Sequence, residues 1–111
     1  MQKEPHIFLN HILESIELIE NRMEGITFKE FASDVDLQDM VIRRLEVIGE
    51  AVRNLPEEFR KKSSDIDWRA AADMRSVLIH GYFQVDLSVV WDTIYNDLPV
   101  FKKQIKKLLS E

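Results

Sequence analysis

Ile7, Phe8, Ile12, Leu13, Ile16, Ile19 and Met23 follow one another at steps of three and four residues. That spacing collects them on one side of a helix, whereas the two-residue alternation of a strand would scatter them over both faces. The rhythm returns in Met40, Val41, Leu45, Ile48, Val52 and Leu55, in Trp68, Ala71, Met74, Val77 and Leu78, and in Val90, Trp91, Ile94, Tyr95 and Leu98. It resumes after Pro99 with Phe101, Ile105, Leu108 and Leu109. No segment alternates as a strand does. The sequence predicts an all-α, up-and-down bundle of four long helices plus short helices, formed by a single domain over residues 1–111.

The boundaries carry their own chemistry. Gly25 is placed to end the first helix, and Thr27 with Glu30 is a capping-box pair that opens a short segment through Phe31. Asp36 reads as the N-cap of the second long helix, and Pro56 ends it while suiting the first turn of a short helix in PEEFRKKSS. Asp67 is the expected cap of the third long helix, Gly81 its expected end, and Asp86 the cap of the fourth. Pro99 cannot donate to the helical ladder, so a kink or restart is expected in the last helix.

With 111 residues, 45% of them hydrophobic, the chain can bury a core without staples, and the absence of cysteine removes disulfides and thiolate zinc sites. Fifteen Lys and Arg against twenty Asp and Glu give a net charge of -5, which weighs against an extended nucleic-acid surface but allows a compact site of a few arginines. The opening MQKEPHIFLNHILESIELIE interrupts its apolar residues with His, Asn and Glu, so neither a secretion signal nor a membrane span is expected, and the predicted location is cytoplasmic. His6 and His11 are five apart, off a shared face, and no second pair of ligands completes a metal site; neither metal nor cofactor is expected.

The densest chemistry lies in RSVLIHGY at residues 75–82. Positions five apart on an ideal helix point about 140° away from each other, so Arg75 and His80 converge only in a loosened last turn or across a dimer axis. Asp73, Ser76 and His80 do share a face, so Ser76 or Asp73 can fix the imidazole tautomer. Two descriptions fit the spacing. In one, Arg75 forms a surface ion pair and His80 caps the helix end; in the other, an imidazole titrating near neutrality moves a proton beside a guanidinium that holds a phosphate oxyanion.

Arg75, His80 and Tyr82 match R-x(4)-H-x-Y, the signature of the HEPN superfamily and of its HepT-like toxins, which the chain resembles. The likeness extends to RRLEVIGEAVRNLPEEFR at 43–60, DIDW at 65–68 and VWDTIYNDLP at 90–99, in that order. It implies a metal-independent ribonuclease, the toxin of a toxin–antitoxin pair, in which the RNA's own 2′-hydroxyl attacks the adjacent phosphate. His80 would then move the proton and Arg75 stabilise the developing charge, with a homodimer bringing two such pairs into one cleft. The implied partner is a nucleotidyltransferase antitoxin that transfers AMP to the motif tyrosine, here Tyr82, where the adduct would repel RNA phosphates.

The resemblance departs at Ser76, where the family usually has Asn, Asp or His; a hydroxyl is shorter and carries no charge. A non-enzymatic helical module that binds a nucleotide or docks a nucleotidyltransferase is the alternative. In the family the helix beside the motif helix also lines the dimer groove, which makes Arg43, Arg44 and Arg53 candidate RNA contacts. Trp68 and Trp91 sit at core spacing, and the lysines at 102, 103, 106 and 107 read as a solvated face that complements the last helix dipole.

Overall fold

A computed structural model of the chain describes residues 4–73 and 86–111. Of these, 84% are helical and none is in a strand, in keeping with the all-α expectation. The elements are α1 (Pro5–Met23), α2 (Phe28–Ser33), α3 (Val35–Asn54), α4 (Glu57–Lys62), α5 (68–73), α6 (Leu87–Asp92), a π turn (Thr93–Asp97) and α7 (Leu98–Ser110). The core lies between α1, α3 and the last helix, whose buried residues come from all three stripes.

α1 opens on Pro5, whose missing N–H costs nothing in the first turn, and turns Leu9, Ile12, Ile16, Ile19 and Met23 inward. Ile7, expected on that stripe, is 52% exposed. It stands two residues before Leu9, about 160° round the helix, so the face that buries Leu9 turns Ile7 to solvent. Gly25 ends the helix with φ +75°, and a Cβ there would meet nothing within 4 Å. The glycine is thus required by the backbone, not by space. The Ile26 N–H then donates to the Met23 carbonyl at 3.1 Å.

Both arms of the Thr27–Glu30 capping box form: the Glu30 N–H donates to Thr27 Oγ1 and the Thr27 N–H to Glu30 Oε1, each at 3.1 Å. One residue, Asp34, then serves two helices. Its N–H donates to Phe31 O at 3.3 Å to close α2, and its carboxylate accepts the Leu37 N–H at 3.0 Å to open α3. The expected cap, Asp36, instead lies exposed in the first turn, where its charge suits the helix dipole. Starting the helix two residues earlier lets Leu37 join Val41, Leu45, Ile48 and Val52 in the core, and burial of a leucine outweighs the choice between two equivalent caps.

The irregularity expected in the last long helix falls just ahead of Pro99. Five residues, Thr93–Asp97, form a π turn in which the Leu98 N–H donates to Thr93 O, and Pro99 then sits in the first turn of α7. In an α-helix the Pro99 ring would meet the carbonyl of Tyr95; widening the turn ahead of it removes that clash and the need for its N–H. Val90, Ile94 and Leu98 remain buried, but Tyr95, expected on the same stripe, is 44% exposed. Its ring lies at the edge of the core, and its hydroxyl donates to the Met23 carbonyl at 3.2 Å, satisfying an acceptor at the end of α1.

Each tryptophan joins elements. Trp91 meets Phe28 edge-on at 5.5 Å between ring centres and Tyr95 at 4.5 Å, tying α2 to the last helix. Trp68 meets Phe101 edge-on at 6.0 Å and Phe59 at 6.5 Å, tying α4 and α7 to the start of α5. Among the described residues, no helix is long and apolar enough to cross a membrane.

Candidate functional site

Arg75, Ser76, His80 and Tyr82, together with the expected helix end at Gly81, lie outside the described residues, as do the apolar positions Met74, Val77 and Leu78. Asp73 is the last described residue before them and is exposed. What the structure describes is the stretch of chain that leads to these positions: the end of α3, α4, the turn at 63–67 and the first turns of α5.

That stretch is built around Trp68. Ser63 and Ile66 are buried in the turn, and the Ser63 carbonyl accepts two hydrogen bonds, from the Ile66 N–H at 3.1 Å and from the Trp68 indole N–H at 3.0 Å. Trp68 is 7% exposed, so its one donor is satisfied inside the core rather than held for a base. Asp67 caps α5 as expected, its carboxylate accepting the Ala70 N–H at 3.0 Å. The direction in which α5 leaves the turn is thus fixed by an indole on one side and a cap on the other.

The outer face of this corner is a groove of about 740 Å³ that Arg53, Arg60 and Arg69 all line, one from each of α3, α4 and α5. Arg53 and Arg60 occupy last turns, where a cation complements the helix dipole. Arg69 is exposed in the first turn of α5, where the same dipole disfavours it. The Nε of Arg60 is closed off from solvent without a hydrogen-bond partner, an unmet donor of a kind that ordinarily costs about 1–3 kcal/mol.

The three arginines of α3 do not share a surface. Arg44 and Arg53 are nine residues apart, about 180° round the helix, and Arg44 is half-buried while Arg53 is exposed. Arg43 lines a separate groove of about 430 Å³ between α1 and α3, with His11 and Glu46, and pairs with Glu46 at 3.7 Å. Of the three, only Arg53 faces the groove at the start of α5. Arg60 and Arg69 were not singled out by the sequence; the signal that points to Arg69 is a cation two residues after a helix cap, in the first turn. No group of three or more His, Asp or Glu side chains among the described residues is placed to hold a metal ion.

Residues 12–108 match the family described as Ribonuclease HepT-like. The chain belongs to the HepT-like ribonuclease family. It is 44% identical over 108 residues to "Probable ribonuclease HepT" of Thermococcus cleftensis, covering 97% of this chain and 98% of that protein. It is 44% identical over 109 residues to a "Putative RNase" of Caldanaerobacter subterraneus subsp. tengcongensis, covering 98% and 97%. A further relative, "Gamma-glutamylcyclotransferase and putative RNase" of Methanocaldococcus jannaschii, is 50% identical over all 111 residues, but the chain spans only 50% of its length. No solved structure matches. The HepT-like match spans both the arginine-lined corner and residues 75–82.

Proposed function

We propose that this HepT-like chain is the toxin of a toxin–antitoxin pair, a homodimeric ribonuclease that works without a metal. The observation that carries the reading is the placement of Arg75, His80 and Tyr82 at R-x(4)-H-x-Y spacing inside the 12–108 stretch that matches the ribonuclease family. In the proposed reaction the 2′-oxygen of RNA forms a bond to the neighbouring phosphorus as the bond to the 5′-oxygen breaks. His80 moves the proton from the attacking hydroxyl to the leaving oxygen, and Arg75 stabilises the extra negative charge on the phosphate. The products are a 2′,3′-cyclic phosphate and a free 5′-hydroxyl, and no metal is consumed or required by that balance. Ser76 and Asp73 would set the imidazole tautomer.

Tyr82 would be the AMP acceptor for a nucleotidyltransferase antitoxin, the adduct adding negative charge where RNA phosphates must enter. The pair would act in the cytoplasm. The test is RNA cleavage by the purified chain in excess chelator, with His80→Ala as the comparison. Cleavage that survives the substitution, or that needs an added metal ion, refutes the mechanism. Ser76, short and uncharged at a position where the family usually has Asn, Asp or His, favours a second reading: a non-enzymatic module that docks the nucleotidyltransferase. A stable complex without AMP on Tyr82 and without cleavage would select that reading.

A further inference from the structure

Three arginines from three different helices line the groove at the start of α5, and no ion pair holds any of them among the described residues. The same groove is lined by Lys61 and by three acidic side chains, Glu57, Asp65 and Asp67. Glu57 pairs with Lys61 at 3.4 Å, and Asp67 is the cap of α5. Arg53, Arg60, Lys61 and Arg69 thus stand against Glu57, Asp65 and Asp67, a local excess of one positive charge on a chain whose net charge is -5. Such a local reversal of sign is what attracts an anion.

Dipole electrostatics account for Arg53 and Arg60 but run against Arg69, so folding alone does not explain the third cation. Arg69 stands about one turn before Asp73, and the R-x(4)-H-x-Y sequence begins two residues after Asp73. We propose that this groove is an extended RNA subsite, in which Arg53, Arg60 and Arg69 hold backbone phosphates of the strand outside the scissile step. The inference rests on the ribonuclease reading for its choice of RNA as the anion. Trp68 is buried and its N–H is taken, so the groove reads phosphate and not base, and its binding is insensitive to sequence.

The experiment uses the full chain carrying His80→Ala, so that RNA is bound and not cut, and measures anisotropy of a labelled single-stranded RNA across a salt series. Adding Arg53→Ala and Arg69→Ala, both at exposed positions, is expected to lower the slope of log affinity against log salt by about 1.4, at about 0.7 for each phosphate that is no longer neutralised. Arg→Lys at both positions should restore most of that slope, because holding a phosphate needs charge more than fork geometry. An unchanged slope in a variant whose circular dichroism and melting match the parent overturns the subsite. So does a loss confined to binding of poly-L-glutamate, which would assign the groove to an acidic protein. A His80-containing chain that binds RNA with the predicted slope change yet never cleaves it refutes the nuclease while leaving the groove an RNA site.

Discussion

The Lys102 ammonium donates to the Glu20 carboxylate at 2.7 Å, and both side chains are partly covered where α7 lies on α1. Of the four lysines at 102, 103, 106 and 107, this one belongs to the fold and not to the solvated face. The hydrogen bond to Glu20 holds the Lys102 pKa above its ordinary value, and burial pushes that of Tyr95, whose hydroxyl bonds the end of α1, in the same direction. A group whose pKa is raised on folding contributes stability that is complete below its unfolded pKa and is lost as pH rises through the folded one. The melting temperature should therefore hold level on the approach to pH 10 and fall beyond it. Lys102→Met should cost about 0.5–1 kcal/mol near neutral pH and shrink the alkaline fall. A thermal-melt series from pH 7 to 11 on both proteins measures it.

Gly25→Ala should destabilise by about 1–2 kcal/mol, since φ +75° is strained for any residue with a Cβ and nothing nearby clashes with one. Gly25→Asn should cost less, because Asn enters the left-handed region more readily. Urea unfolding of the two variants provides the comparison; an equal loss in both would point to a contact instead of the backbone.

Asp34→Ala should cost about 1 kcal/mol and Asp36→Ala no more than about 0.5. Only the first removes a side-chain acceptor from the Leu37 N–H, and the same residue closes α2 through its own N–H. Hydrogen exchange at the Leu37 amide should quicken in the Asp34 variant alone.

For the proposed chemistry, His80→Ala should lower the cleavage rate by about 10²–10⁴-fold, the range that general acid–base groups contribute. Coexpression with a nucleotidyltransferase antitoxin should add AMP to the wild-type chain and not to Tyr82→Phe. Intact-mass spectrometry separates these cases.

Much of the fold was legible because its determinants are local. The Thr27–Glu30 box, the caps at Asp67 and Asp86, and the stop at Gly25 each rest on residues within one turn of one another. The choice of Asp34 over Asp36 was not, because two aspartates with similar capping power differ only in whether Leu37 reaches the core. Nor was the π turn, since the apolar spacing from Val90 through Ile94 to Leu98 is unbroken across it. The motif was legible as spacing, but its meaning came from resemblance, because helical geometry alone turns Arg75 away from His80. The arginine groove was hidden for another reason. Arg53, Arg60 and Arg69 are isolated letters in the sequence and line one groove only because the chain turns at Pro56 and again at 63–67.

The double duty of Asp34 leaves the joint between α2 and α3 without slack. One residue more or less there would turn Phe31 by about 100° relative to Leu37, swinging an aromatic ring out of the core or a leucine into water. That joint should reject length changes that the turn at 63–67 can absorb only by surrendering the indole tether. Among the described connections, it acts as a fixed ruler that sets the rotational phase of α3, and through α3 the positions of Arg53 and of every side chain that faces α5.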